Sequence, residues 1–131
     1  MSAEPYLIQF NSIGKSDIGY ISIAEKETLP FVPHRIYWTY FTPEDVKRGY
    51  HSHYDLEQIL VAVAGRIVIS TEMNNGLKRE FVLDSPKVGL YIPKMCWRVM
   101  QYSHNAVQMC IASEEYDEKD YIRDYDEFLK K

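Results

Sequence analysis

The sequence predicts an all-β fold, an antiparallel sandwich or barrel closed by a C-terminal helix. Three features carry that expectation. Short runs rich in β-branched and aromatic residues recur along most of the chain, Gly, Pro, Asn and Asp break them at close and regular intervals, and helical spacing emerges only in the tail after Tyr116.

The elements follow in order. Pro5 to Glu25, "PYLIQFNSIGKSDIGYISIAE", reads as two short strands parted by a Gly, Ser and Asp turn, and "HRIYWTYF" (34–41) as a third. Pro43 and Gly49 mark "TPEDVKRG" as a loop. Strands are expected at "EQILVAVAG" and "RIVISTE", then, past a turn at Asn74-Asn75-Gly76, at "KREFVL". Asn-Gly between such runs is a hairpin signal, because both residues tolerate positive φ. A break at Asp84-Ser85-Pro86 leads to "VGLYIP" and "CWRVMQY", and a turn at Ser103-His104-Asn105 leads to "AVQMCIAS". In "YDEKDYIRDYDEFLKK", Tyr121, Ile122, Tyr125, Phe128 and Leu129 recur at helical spacing, which predicts an amphipathic helix covering one end of the β structure.

Composition limits the function. The 131 residues suit one domain spanning 1–131, and 46% hydrophobic with 26% charged residues supports a packed core. A net charge of −4 gives no general attraction to nucleic acid or anionic membranes. A bound phosphate would therefore need a local arginine cluster. The opening lacks the pattern of a secretory leader and no run is long enough to span a bilayer, so the expected location is the cytoplasm. Cys96 and Cys110 form no CxxC motif and read as small buried hydrophobes in a reducing compartment.

The chemistry-bearing segment is "RGYHSHYDLEQ" (48–58). On a strand, side chains alternate between faces, so His51 and His53 share one wall and Ser52 points away. Two imidazoles on one wall suit metal binding or acid–base work at neutral pH. HxH followed by Glu57 and then Gly65 resembles the first motif of the cupins, small jelly-roll barrels. Metal-dependent cupins add a later-strand histidine shortly after a proline, where "IPKMCWRVM" offers Trp97 and Arg98. Glu57 and His104 are the remaining donors. A cation at Arg98 opposes a metal there, so none is expected.

Longer strings narrow the resemblance. "RGYHSHYDLEQILVAVAGRIVI", "LDSPKVGLYIPKMCW" and "ASEEYDEKDYIRDYDEFL" together are similar to the sugar 3,4-ketoisomerases of the cupin superfamily, the WxcM-like proteins. That resemblance implies an antiparallel jelly-roll barrel. It also implies a metal-independent, cofactor-free enzyme that converts dTDP-4-keto-6-deoxy-D-glucose to a dTDP-3-keto-6-deoxyhexose in deoxyamino-sugar synthesis. It further implies a homodimer with exchanged N-terminal strands, with His51, His53 and Tyr37 as catalytic residues and Arg48 before them at the substrate. Some members have a histidine after the tryptophan where this chain has Arg98.

The residue types fit that chemistry. Moving a ketone from C4 to C3 needs a base of near-neutral pKa and donors aimed at an enediolate, roles suited to the histidines and to Tyr37 or Arg48. Arg35, Arg48, Arg66 and Arg98 are candidates for a diphosphate because a guanidinium can make two parallel bonds to phosphate oxygens. Gln58 and Tyr91 are further candidates for the sugar or the base, with core packing as the other reading. Two alternatives remain at this level: a cupin nucleotide-sugar epimerase and a non-catalytic nucleotide-sugar-binding cupin.

Overall fold

Alternation of side chains builds the architecture. In β7 (Ile67–Met73) every second residue is buried, and with β8 (Lys78–Leu83) it forms a hairpin whose turn carries Gly76 at φ +94°. The computed structural model describes residues 3–131. The other strands are β1 (Tyr6–Gln9), β2 (Asn11–Lys15), β3 (Gly19–Ile23), β4 (Arg35–Tyr40), β5 (Lys47–His53), β6 (Gln58–Ala64), β9 (Val88–Ile92), β10 (Cys96–Tyr102), β11 (Val107–Ala112) and β12 (Tyr121–Ile122), followed by helix α1 (Tyr125–Leu129).

Two five-stranded sheets, ordered β1-β9-β6-β11-β4 and β12-β5-β10-β7-β8, form the body, and β2 pairs only with β3. All pairings are antiparallel. The jelly-roll expectation holds. Residues on the facing sides of the two sheets, among them Leu60, Ile67, Ile69, Leu90 and Ile92, make one apolar cluster. Each fully buried side chain of this kind contributes about 1.5–3 kcal/mol. Cys96 and Cys110 are free and buried, and burial pushes both thiols up, Cys110 to about 11. No described helix is long and apolar enough to cross a membrane.

Three elements depart from the sequence reading. The N-terminal segment makes three strands: β1 lies on β9, and after Phe10 the chain forms the exposed β2-β3 hairpin. Lys47, Arg48 and Gly49 belong to β5, because β10 provides them with a hydrogen-bonding partner. The tail is only partly helical. A 3-10 turn, Glu118–Asp120, precedes β12, in which Tyr121 pairs with His53 and Ile122 with Ser52; α1 then starts behind Asp124, whose side chain accepts the Asp126 and Glu127 amides. Phe128 is buried against Trp97 and Ile122, so the tail still covers one end of the β structure.

Candidate active site

The pocket containing His51 opens between the two sheets. Its cavity of about 390 Å³ is lined by Arg35, Tyr37 and Thr39 of β4, Arg48, Gly49 and His51 of β5, Met100 and Tyr102 of β10, Gln108 of β11, and Tyr116, Tyr121 and Arg123 of the tail. Alternation explains the β4 contribution: Arg35, Tyr37 and Thr39 face inward, while Ile36, Trp38 and Tyr40 are exposed. No lining residue is acidic, so this acidic chain carries an electropositive pocket.

A bulge aims the residues of β5. Arg98 pairs with His51 and Val99 with Gly49, leaving Tyr50 as the extra residue at φ +56°. Strict alternation would put Arg48 and His51 on opposite faces, whereas the bulge lets both line the pocket. Gly49 lies at φ +100°, and a Cβ there would meet the Arg98 carbonyl oxygen at 2.7 Å. Only glycine allows this close approach of the two strands.

His51 and His53 do share a wall, with ring centroids 4.9 Å apart and edge to face. His51 Nδ1 donates to the Gly49 carbonyl at 3.1 Å. A carbonyl only accepts, so the neutral ring has its proton on Nδ1 and its Nε2 free as a base. His53 lies deeper, 1% exposed, with both ring nitrogens lacking a hydrogen-bond partner. The Tyr121 ring packs on both histidines, at 5.1 and 4.3 Å. Desolvation, reinforced by the charge of Arg98, pushes His51 down to about 3 and His53 to about 2. Both are therefore neutral near pH 7.

Arg98 is buried at the base of this group. Its Nε donates to the Cys96 carbonyl at 3.1 Å, one terminal nitrogen donates to Gln58 Oε1, and Nη2 has no partner. Burial lowers its pKa. Because Arg98 can only donate, it fixes the Gln58 amide with its oxygen toward the guanidinium; Gln58 Nε2 then donates to Tyr37 Oη at 2.9 Å. The Tyr37 proton is left to point elsewhere, and burial raises its pKa so that it stays a neutral donor.

The predicted site residues thus divide. His51, Tyr37, Arg35 and Arg48 line the pocket, His53 and Arg98 stand behind it, and Gln58 is bonded to both Arg98 and Tyr37. Tyr91 is a correction. It lies on the opposite face of its sheet, in a cluster with Phe10, Ile59, Val61 and Ile111, and its hydroxyl donates to Glu57. The unbroken apolar character of β6 and β9 hides which residues face the lumen. Sequence reasoning also missed Tyr116, Tyr121 and Arg123. Arg123 lies 4.1 Å over the Tyr121 ring and is gripped by Glu118 through two 3.0 Å bonds. The only signal for them was the aromatic content of the tail, with Arg123 set among acidic residues.

Buried polar atoms without partners gather here: Arg35 Nε, Gln108 Oε1, Arg98 Nη2 and both His53 nitrogens. Each such group costs about 1–3 kcal/mol, and a cluster of them marks a place where a polar ligand completes the hydrogen bonding.

The fold and this site define a cupin-type protein equipped for proton transfer beside an anionic ligand. Residues 3–131 match the FdtA family model, described as WxcM-like, C-terminal, and the chain belongs to that family. It is 39% identical over 128 residues to the TDP-4-oxo-6-deoxy-alpha-D-glucose-3,4-oxoisomerase of Aneurinibacillus thermoaerophilus, covering 97% of this chain and 91% of that protein. Among solved structures, the sugar 3,4-ketoisomerase QdtA from Thermoanaerobacterium thermosaccharolyticum, in complex with TDP, superposes with a TM-score of 0.92 at 35% identity, covering 99% of this chain and 95% of that one. A 3,4-ketoisomerase from Helicobacter canadensis matches with a TM-score of 0.91 at 34% identity, covering 98% of this chain and 97% of that one.

Proposed function

We propose that the protein is a sugar 3,4-ketoisomerase acting on TDP-4-keto-6-deoxyglucose, the ligand bound to a mutant form of QdtA. The carrying observation is a neutral imidazole, His51, in an arginine-bearing pocket without acidic lining residues, with a second neutral imidazole, His53, packed directly behind it. His51 Nε2 takes the proton from C3, which is acidified by the adjacent C4 ketone, and the electrons move into an enediolate. His53 carries the O3 proton to O4, and His51 returns its proton to C4. The result is a C3 ketone and a C4 hydroxyl with no net change in protons. Tyr37, with Oη already accepting from Gln58, aims its own proton at an enediolate oxygen, and the buried Arg98 charge favours that anion. Arg48 and Arg35 bind the diphosphate.

This reading treats residues 1–131 as one cytoplasmic cupin-like domain that needs no metal or cofactor. It forms a homodimer in which β1 makes its β9 pairing across protomers, since strand exchange reuses contacts a chain already makes with itself. Exposed Ile13, Tyr20 and Ile21 of the hairpin, with Ile36, Trp38 and Tyr40 of β4, supply apolar surface for such a contact. Light scattering should give twice the chain mass, and deleting residues 1–10 should abolish it.

Proton NMR of TDP-4-keto-6-deoxyglucose with the enzyme, and a 3-aminotransferase present to trap a labile product, tests the function. Transfer of the ketone to C3 is expected. A ketone that stays at C4 while a neighbouring centre inverts would mean epimerisation, and unchanged substrate would mean a binding protein.

A further inference from the structure

Among the described residues, Asp120 is the one carboxylate within ion-pair distance of either histidine. Its Oδ2 lies 3.7 Å from His53 Nδ1, and both side chains are largely buried. The same carboxylate accepts the backbone N–H of Asp55 at 2.9 Å and of Leu56 at 3.0 Å, and the Asp120 carbonyl accepts that of Tyr54 at 3.0 Å. The three residues that follow His53 are therefore all bonded to one residue of the tail. The next residue, Tyr121, is paired with His53 in the ladder and packs its ring on the imidazole.

The charges around His53 make that carboxylate matter. Arg98 from β10, His51 on β5, Arg35 from β4 and Arg123 beyond β12 all act against a proton on His53, and desolvation adds to them. Tyr121 is neutral. A ring that must carry a proton during turnover has Asp120 alone to offset the imidazolium charge.

We propose that Asp120 is a positioning residue for the isomerisation: it fixes the His53 ring through the 54–56 turn and receives the Nδ1–H, leaving Nε2 to exchange protons with the sugar oxygens. This rests on His53 as the oxygen-to-oxygen shuttle. Nε2 takes the O3 proton, the imidazolium directs Nδ1–H at Asp120, and Nε2 then delivers a proton to O4. Asp120 takes up no proton in this sequence, and a short ring movement brings the 3.7 Å separation to hydrogen-bond length.

Asp120→Asn removes the charge and keeps an acceptor for the turn. The expected result is a kcat lower by about 10- to 100-fold with KM and TDP affinity within about twofold of the parent. A purely structural role would lower the melting temperature and leave kcat per folded molecule in place. Wild-type kcat in folded Asp120→Asn overturns the proposal. Nitrogen-15 NMR of the unmodified enzyme tests it independently of folding in any variant: His53 should carry its proton on Nδ1, and a proton on Nε2 overturns it. His53→Asn separates this inference from the reading beneath it. Full turnover in that variant removes the shuttle itself, whereas an inactive His53→Asn beside an unaffected Asp120→Asn removes only the role of Asp120.

Discussion

The two ends of the barrel interior are built from the same strands and are equally dry, yet they are opposites chemically. At one end Leu60, Ile67, Ile69 and Leu90 bury hydrocarbon against hydrocarbon. At the other, His53, Gln58 and Arg98 are just as inaccessible, and two of the three keep polar atoms without partners. β6 supplies Gln58 to one end and Leu60 and Ala62 to the other, while β11 sets Ala112 across from Gln58 and Cys110 across from Leu60. Burial therefore does not by itself mean stabilisation. The apolar end favours folding by removing surface from water, while the polar end opposes it by about 1–3 kcal/mol per orphaned group. What the polar end gains is a set of donors and acceptors already stripped of water and aimed before a ligand arrives, the condition under which electrostatic stabilisation of an anion is strongest.

Substitutions at the two ends should separate activity from stability. The largest effect is expected from His51→Asn at the polar end: kcat falls about 10²–10⁴-fold, the range for losing a general acid–base, while folding and TDP binding persist. The checks are steady-state rates in the aminotransferase-coupled assay and calorimetric titration with TDP. Leu60→Ala, at the apolar end, is the counterpart. It should cost about 2–5 kcal/mol in urea unfolding and leave kcat per folded molecule nearly unchanged. A Leu60→Ala protein with lost turnover at full foldedness would show that the two ends are mechanically coupled.

How much of this division the sequence revealed depended on whether a signal was local. The histidine pair was legible because period-two alternation puts His51 and His53 on one face whatever lies across from them. Tyr37 came from the family resemblance and not from alternation, which accounts only for its inward face on β4. The bulge at Tyr50 was not legible, since it is defined by β10, some fifty residues away in sequence, and it is what brings Arg48 to the face of His51. The tail misled for a different reason. Apolar residues spaced three and four apart in a short segment fit a helix, and only the ladder to β5 makes Tyr121 and Ile122 a strand. Reading that stretch as a covering helix hid Asp120, Tyr121 and Arg123 from the site. Tyr91 erred through facing: in runs such as "VGLYI" and its neighbour "QILVAV" both faces are apolar, so alternation gives no phase.

A smaller effect should appear in the dependence of stability on pH. His51 and His53 are held below the ordinary histidine value by burial first and by Arg98 second, to about 3 and about 2. The unfolded chain then binds protons below its pKa of about 6.5 that the folded chain refuses. Stability contributed by keeping these rings neutral is therefore fully present above about pH 6.5 and is lost as pH falls toward 3, by up to about 1.4 kcal/mol per pH unit for each ring. Carboxylates titrate in the same range, so the informative quantity is a difference. Urea midpoints from pH 7 to 4 should fall less steeply in His51→Asn than in the parent. Parallel curves would mean that His51 titrates normally and that the polar end is wetter than its geometry indicates.

The smallest expected effect is no effect at all, on exhaustive chelation. A metal would turn the polar end into a coordination box, and the donors are not arranged for one. Among the described residues no three His, Cys, Asp or Glu side chains converge. The carboxylate of Glu57 accepts from Tyr91, which lies on the outer face of its sheet, and the His104 ring lies against Phe41, with centroids 6.4 Å apart. In the lumen, where β10 passes His51, the chain presents the Arg98 guanidinium. A buried cation there disfavours a second positive charge on the imidazoles and would disfavour a divalent ion in the same way. Catalytic transition-metal sites usually need three or more protein ligands, and this pair has a competing cation where a third would stand. Turnover after dialysis against EDTA should thus stay within about twofold of the untreated enzyme, because on the proposed mechanism Tyr37 and Arg98 take the place of a metal in polarising the ketone. One tightly bound transition metal per chain, with activity lost on its removal and restored on its return, would show that Arg98 moves aside and that the polar end is preorganised for a cation instead of an enediolate.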